Sequence, residues 1–366
     1  MAMIRRHARP RSKPIPVSAP PQQAPDGIVI AIEDVVYRYP STTNAPTSSQ
    51  AATAAPALNG VSLRIRRGEY VALLGHNGSG KSTLARMLNG LLLPSSGRVL
   101  IMGHDTSDPA SRREIRDLVG MIFSDPDNQI VATIVEDDVA WGLAARGYPL
   151  AEVRARAAVA LEAVGLSEAH ERAPNQLSGG QRQRLAIAGV LAIEPTCLVA
   201  DEPTALLDPK ARIEMTGLLR RLNRERGLTV VHVTHLLEEA ALADRIVVLE
   251  QGRIAMQGKP PQVFADLDRL RALRLIIPDL AQLGERLRAV GLAIPPDALT
   301  PEQFVAALDA ALDAALAQPS AMRKPTMPTP IQTTPTLPTT PTSQTAPATQ
   351  MSQPPQPTTQ PQEPHA

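Results

Sequence analysis

An α/β fold with a parallel-sheet core follows from three features of this 366-residue chain. Short apolar runs rich in branched residues, Leu198–Ala200, Thr229–Val233 and Ile246–Leu249, have the form of strands buried on both faces of a parallel sheet. Helical intervals, Lys210–Arg226 and Leu236–Ala243, alternate with them. The third feature is the loop Gly75 His76 Asn77 Gly78 Ser79 Gly80 Lys81 Ser82, set between the apolar run Tyr70–Leu74 and a helix-like run, Ser82–Leu91.

That loop has the residue types a nucleotide phosphate requires. Small residues let consecutive backbone N–H groups turn inward around phosphate oxygens, and the helix that begins there adds the positive end of its dipole. Lys81 is placed to reach the terminal phosphates and Ser82 to offer a hydroxyl to Mg²⁺.

Composition bounds the rest. A net charge of +1 gives no chain-wide reason to expect nucleic acid as a partner. One cysteine, Cys197, rules out an internal disulfide and, lying in an apolar run, reads as a buried inert thiol. No run approaches the roughly 18 apolar residues of a membrane-spanning helix. The N-terminal Arg5, Arg6, Arg9, Arg11 and Lys13 are interrupted by prolines with no apolar stretch behind them, which argues against a signal peptide.

In chain order, residues 1–27 read as a disordered basic, proline-rich terminus. Strand-like alternation runs from Ile28 to Tyr39. Pro40–Pro56, rich in Ser, Thr and Ala, reads as a flexible insertion in a surface loop. A second strand-like piece is Val61–Ile65. From Gly97 to about Pro195 the pattern is mainly helical, most clearly over Leu150–Val164. After Gly258, helical spacing of Val263, Leu267, Leu270 and Leu273, then Leu280, Leu283, Leu287 and Val290, then Phe304, Leu308 and Leu312 predicts a small helical annex. Thr300, Pro301 and Gln303 mark a helix start with a capping box. The Pro, Thr and Gln composition beyond about Gln318 reads as a disordered tail.

Two further constellations carry chemistry. About 120 residues beyond Lys81, the apolar run Leu198–Ala200 ends in Asp201 and Glu202; the first suits Mg²⁺ held through its water shell, the second suits polarising a water that attacks a γ-phosphate. Upstream, Leu177 Ser178 Gly179 Gly180 Gln181 opens the helix-like run Arg182–Leu191 and forms a second phosphate cradle. One nucleotide does not need two cradles from one chain, so the second is assigned to the nucleotide of a partner, two chains pairing head to tail about a two-fold axis.

These motifs resemble the ABC-type ATPase cassette: the loop Gly75–Ser82, the signature Leu177–Gln181, Asp201 Glu202, the loop Ala205 Leu206 Leu207 Asp208, and Val233 Thr234 His235. The resemblance spans about residues 28–258 and implies a parallel-sheet core, an antiparallel β piece and a helical subdomain at about 124–190. It implies an ATPase in which Tyr39 stacks on adenine, and Gly75, His76, Asn77, Gly78, Ser79, Gly80, Lys81, Ser82 and Thr83 bind ATP. Ser82 and Asp201 hold Mg²⁺, and Glu202, His235 and Lys81 serve catalysis. Asp208 contacts the partner, and Ser178, Gly179, Gly180 and Gln181 act in trans.

The run Pro126–Thr133 followed by Val135–Gly142 is similar, more narrowly, to the ATPase subunits of energy-coupling factor transporters, importers of vitamins and of cobalt or nickel ions. Pro261–Phe264, Gly284–Gly291 and Ile294–Thr300 resemble that family's C-terminal helical extension, here 259–316, which contributes to pairing of the ATPases. The resemblance implies as partners a second ATPase of the same or a sister chain, an integral membrane coupling subunit and a substrate-binding membrane subunit. It implies a peripheral place on the cytoplasmic face of the membrane. Where cassettes carry a glutamine that contacts Mg²⁺ and senses the membrane subunits, this chain has Ser124, whose shorter reach requires an extra water or a neighbour such as Asp125. Gln129 is assigned to the Asp Asn Gln run and not as a replacement. The alternative function, a soluble nucleotide-dependent clamp on ribosome or DNA, is disfavoured by one unsplit cassette and the absence of sustained heptads.

Overall fold

The computed structural model describes residues 27–40 and 55–317. The basic terminus, most of the Pro40–Pro56 insertion and the Pro/Thr/Gln tail therefore lie outside the described residues.

The chain opens with two strands, β1 (Ile28–Tyr37) and β2 (Leu58–Arg66), paired antiparallel with Tyr37 opposite Leu58. Inward and outward residues alternate along β2 from Val61 to Arg66, as expected of a sheet with one face on a core. The fully buried β3 (Tyr70–Leu74) then feeds the glycine loop and α1 (Lys81–Leu88). β4 (Ser96–Ile101) and β5 (His104–Asp105) return to the first sheet, whose order is β2-β1-β4-β5.

Next come α2 (Arg112–Leu118), β6 (Val119–Ile122), and three helices that pack on one another: α3 (Val135–Ala145), α4 (Leu150–Ala163) and α5 (Gly179–Leu191). β7 (Cys197–Asp201), α6 (Pro209–Arg226), β8 (Thr229–Val233), α7 (Leu237–Ala240), β9 (Arg245–Glu250) and β10 (Arg253–Gly258) complete a second sheet ordered β10-β9-β3-β8-β7-β6. Its strands are parallel except β10, which pairs antiparallel with β9.

The side-chain period of two divides this sheet between two cores. Val71 and Leu73, with Val199, Val231 and Val247, face the antiparallel sheet and α1. Tyr70, Ala72 and Leu74, with Leu198, Ala200, Val230 and Val248, face the helices. Residues on both faces are apolar, which is why these strands read as continuous runs and not as alternating ones. Cys197 is fully buried, and burial pushes its thiol up to about 12, as an inert thiol requires.

Four helices follow: α8 (Pro260–Phe264), α9 (Leu267–Ala272), α10 (Asp279–Ala289) and α11 (Pro301–Ala317). Val263, Phe264, Leu267, Leu270 and Leu273 join the large helix-side core; Ile294, Ala298, Phe304 and Ala311 form a separate small cluster. Thr300 Oγ1 accepts from the backbone N–H of Gln303 at 3.3 Å, the anticipated cap of α11.

The mainly helical stretch 97–195 also holds the strands β4, β5 and β6, which periodicity does not separate from it. Each is short, and β6 has only four residues, Val-Gly-Met-Ile, a run that periodicity cannot separate from a helix. The interval Leu236–Ala243 contains one helical turn, α7, because the chain must swing back at Asp244, whose carboxylate accepts from Tyr70 N at 2.9 Å, to start β9.

Candidate functional site

Parallel order puts the carboxyl ends of β3, β8 and β7 side by side, with Leu73 opposite Val233 and Val233 opposite Asp201. Whatever follows those three strands is forced into one crevice. The glycine loop follows β3, His235 follows β8, Asp201 ends β7 and Glu202 comes directly after it.

The loop needs its glycines. Gly75, Gly78 and Gly80 take φ of 154, 82 and 105°. A Cβ at Gly80 would stand 2.6 Å from Ala57 O, and one at Gly75 would fall on Ser79 Oγ and 2.5 Å from Leu249 O. Lys81 is folded into the loop, its Nζ donating to Gly75 O at 2.8 Å and His76 O at 3.2 Å. Burial holds its ammonium below the usual lysine range, against the pull of Glu202 and Asp201. His76 Nδ1 lies 2.6 Å from Asn77 O, and the His76 carbonyl also accepts from Ser79 N at 3.2 Å.

Ser82 Oγ donates to Asp201 Oδ1 at 2.9 Å, although 119 residues separate them in sequence. Burial raises the Asp201 carboxyl above its ordinary range, and Ser82's hydroxyl opposes that rise. Two hard oxygen donors beside a phosphate loop, with no cluster of three or more His, Cys, Asp or Glu among the described residues, fit a cation that keeps most of its ligands from water and phosphate.

Glu202 joins these groups. Its Oε1 is 3.7 Å from Lys81 Nζ and its Oε2 is 3.7 Å from His235 Nδ1. Its backbone is left-handed, φ 50°, held by a bond from its own N–H to Val233 O at 3.0 Å. A non-glycine residue in that region stores about 1–3 kcal/mol, which persists where the surroundings fix it. The cluster pairs a cation, a carboxylate and an imidazole around one space, the set needed to bind a phosphoryl group and orient a water.

Tyr39 is half exposed, stands edge-on to Tyr37 with ring centres 4.9 Å apart, and its hydroxyl lies 3.0 Å from Thr83 Oγ1. That bond ties an open aromatic face to the helix that opens at Lys81.

Ser178 lies away from this cluster, at the start of α5. Its Oγ accepts from Gln181 N at 3.2 Å while Gln181 Oε1 accepts from Ser178 N at 2.9 Å, a complete capping box. Gly179 and Gly180 form the first turn. Asp208 is exposed and caps α6, accepting from Ala211 N at 2.9 Å.

Ser124 is exposed, and the loop around it is held from both sides. Gln129 donates to Met121 O at 3.1 Å and accepts from Phe123 N at 3.3 Å; Gln183 of α5 donates to Phe123 O at 3.1 Å. Gln129 is thus spent on β6, in keeping with its reading as no replacement for the missing glutamine. Asp125 accepts from Asp127 N and Asn128 Nδ2, both at 3.0 Å, and is engaged in its own turn. Beside Phe123 a groove of about 310 Å³ is lined by Leu91, Met121, Val190, Ile193 and Pro195. Trp141 and Val131 are exposed nearby in sequence, at 61 % and 62 %.

Sequence reasoning missed a buried polar group next to this site. Glu239 of α7 accepts from Thr204 Oγ1 at 2.7 Å and Thr234 Oγ1 at 2.6 Å, and His232 Nε2 lies 3.3 Å from it. Tyr70 OH lies 3.0 Å from His232 Nδ1. Burial holds the phenol far above its usual range, so Tyr70 keeps its proton in this contact. A histidine inside an otherwise apolar strand was the available signal.

Among the described residues no helix is long and apolar enough to cross a membrane. Residues 58–205 match the family model described as ABC transporter. The chain is 56 % identical over 279 residues to the energy-coupling factor transporter ATP-binding protein EcfA1 of Symbiobacterium thermophilum, covering 76 % of this chain and 96 % of that protein. To the EcfA protein of Methanosarcina acetivorans it is 44 % identical over 267 residues, 73 % and 92 % of the two chains. Among solved structures, cbiO1 from Clostridium perfringens, part of the ABC transporter complex cbiONQ, aligns with TM-score 0.60 at 36 % identity, over 71 % of this chain and 100 % of that one. A dimeric ATP-binding cassette in a post-hydrolysis state, bound to ADP and Pi, aligns with TM-score 0.56 at 33 % identity over 63 % and 98 %.

Proposed function

The chain belongs to the ATP-binding subunits of ABC transporters, in the energy-coupling factor branch, and from that membership we propose that its ATP hydrolysis drives import of a micronutrient, a vitamin or a transition metal ion. The observation that supports the reading most directly is the convergence of Lys81, Glu202 and His235, with Ser82 and Asp201, at the carboxyl edge of the parallel sheet.

In this reading Tyr39 stacks on adenine while Gly75–Gly80 wrap the phosphates with backbone N–H groups and Thr83, bonded to Tyr39, joins the ATP site. Lys81 leaves the carbonyls of Gly75 and His76 for the β- and γ-phosphates, carrying its charge into a site already poor in water. Ser82 would hold Mg²⁺ directly and Asp201 through water, and the ion would supply positive charge to offset that of the phosphates. Glu202 accepts a hydrogen bond from the attacking water, and His235 holds the γ-phosphate and the same water in line. The water oxygen bonds to phosphorus as the bond to the β-phosphate oxygen breaks, giving ADP and phosphate.

Ser178, Gly179, Gly180 and Gln181 complete the site of a second cassette, of this chain or a sister chain, and Asp208 lies at the same interface. ATP closes the pair; hydrolysis and product release open it. The groove beside Phe123 and the exposed Val131 and Trp141 support docking of a membrane coupling subunit, which with a substrate-binding membrane subunit would place the chain on the cytoplasmic face of the membrane. Ser124 stands at that junction.

Purification of the full chain from membranes tests the proposal. Integral membrane partners are expected to co-purify, and cargo to stimulate phosphate release by the assembly. Recovery with ribosomes or DNA, or turnover indifferent to membrane partners, would refute it.

A further inference from the structure

The two residues assigned to the attacking water sit on separate loops, and one buried carboxylate joins those loops. Glu239 is 4 % exposed. Its Oε1 takes the hydroxyl of Thr204, two residues after Glu202, and its Oε2 takes that of Thr234, immediately before His235. Thr234 Oγ1 also accepts from Leu236 N at 3.1 Å, so its own proton is committed to Glu239.

A third arm reaches the strand that feeds the phosphate loop. His232 Nε2 lies 3.3 Å from Oε2, and its Nδ1 lies 3.0 Å from the hydroxyl of Tyr70, the first residue of β3. A fourth approaches from α6, which Asp208 caps: Arg212 Nε is 3.8 Å from Oε1. The carboxylate therefore meets the loop after β7 through Thr204 and the end of β8 through His232 and Thr234, while β3 is reached through His232 and Tyr70.

Glu239 sits at the edge of an apolar core in which Leu237 and Ala240 of the same short helix are fully buried. Burial alone pushes its carboxyl up, but His232 and the hydroxyls of Thr234 and Thr204 outweigh that and hold it below the usual carboxylate range. A satisfied buried ion is retained at a desolvation cost, and its clearest return is geometric specificity.

We propose that Glu239 is a positioning residue for hydrolysis: through Thr204 and Thr234 it fixes Glu202 and His235 relative to each other, and through His232 and Tyr70 it references both to the phosphate loop. The inference rests on the reading of Glu202 and His235 as the residues that handle the attacking water.

The test uses the full chain in its membrane assembly, carrying Glu239→Gln, Thr204→Val, Thr234→Val, and each threonine change combined with Glu239→Gln. Turnover, KM for ATP, affinity for a fluorescent ATP analogue and melting temperature are measured for each. Glu239→Gln is expected to lower kcat about 10- to 50-fold with KM and analogue affinity within about threefold of wild type. Each threonine variant should lower kcat about 3- to 10-fold and add little to Glu239→Gln, since residues acting through one partner are not additive.

A folded Glu239→Gln with turnover within twofold of wild type would overturn the proposal, as would additive losses or losses that track melting temperature alone. If Glu239→Gln does not fold, the two threonine variants, which keep side-chain volume, decide by the same kcat criterion. Glu202→Gln serves as the control. Normal turnover in that variant overturns the site reading and this inference together; an inactive Glu202→Gln beside a normal Glu239→Gln overturns the inference alone.

Discussion

Replacing Glu202 by Gln isolates one charge. The amide keeps the carboxylate's shape, the left-handed backbone and the N–H bond to Val233, so geometry is conserved. What is lost is the negative charge lying 3.7 Å from both Lys81 Nζ and His235 Nδ1. The side chain is 24 % exposed, and its charge also works against neighbouring Asp201, so attraction and repulsion partly cancel. Folding stability should change by less than about 1 kcal/mol. Chemistry should not be spared, because in the proposed mechanism the carboxylate accepts from the attacking water, on which positive charge develops. Loss of such a group costs about 2–4 kcal/mol of transition-state stabilisation, or roughly 30- to 1,000-fold in turnover. The assay is phosphate release by the purified assembly beside equilibrium ATP affinity. The expected result is retained affinity with collapsed turnover; turnover within threefold of wild type, or an affinity loss as large as the rate loss, would refute the role.

Three further outcomes are expected. Tyr39→Ala should weaken ATP binding about 5- to 160-fold through the loss of about 1–3 kcal/mol of base stacking, whereas Tyr39→Phe, which loses only the bond to Thr83, should stay within about threefold; titration with an ATP analogue separates the two. Ser124→Gln should raise cargo-stimulated ATP turnover if the serine limits metal contact and coupling, and no change or a fall in transport assays would show that the serine is accommodated. The folded-state pKa of Glu239 lies below its ordinary value of 4.5, so its ionised form stabilises the fold above that value and the contribution disappears as pH falls through the folded-state pKa. The stability difference between wild type and Glu239→Gln, read from denaturant midpoints, should therefore narrow as pH drops below about 4.5.

The site was legible from the chain wherever local chemistry demands a residue type. Glycines with positive φ, a lysine at the head of a helix and a carboxylate pair ending an apolar strand each carry their reason within a few residues. The parallel strands were legible too, because burial on both faces leaves continuous branched runs. Illegible features depend on partners distant in sequence. Val119–Ile122 is a strand only because Cys197–Asp201 lies beside it. Arg253–Gly258 closes the sheet by an irregular antiparallel pairing with Arg245–Glu250, and its own sequence, with Gly258 and Gln257, has no strong strand period. Tyr70 and His232 are 162 residues apart, and only the register of β3 against β8 brings them together. The first annex helices share the main core, since α8 with Phe264 packs beneath β9 and β10 and α9 with Leu270 packs against α8.

The cap on α5 has a consequence for what Ser178 can give. Its oxygen binds the Gln181 N–H through a lone pair, so the hydroxyl hydrogen is uncommitted. The side chain is thus immobilised before any partner approaches, with its one donor still available to a phosphate oxygen. Ordering a free side chain on association costs about 0.5–1.5 kcal/mol; here folding has already met that cost. The hydroxyl that would close over a neighbour's ATP arrives aimed, and subunit pairing should depend on the phosphate being present more than on any rearrangement of the serine.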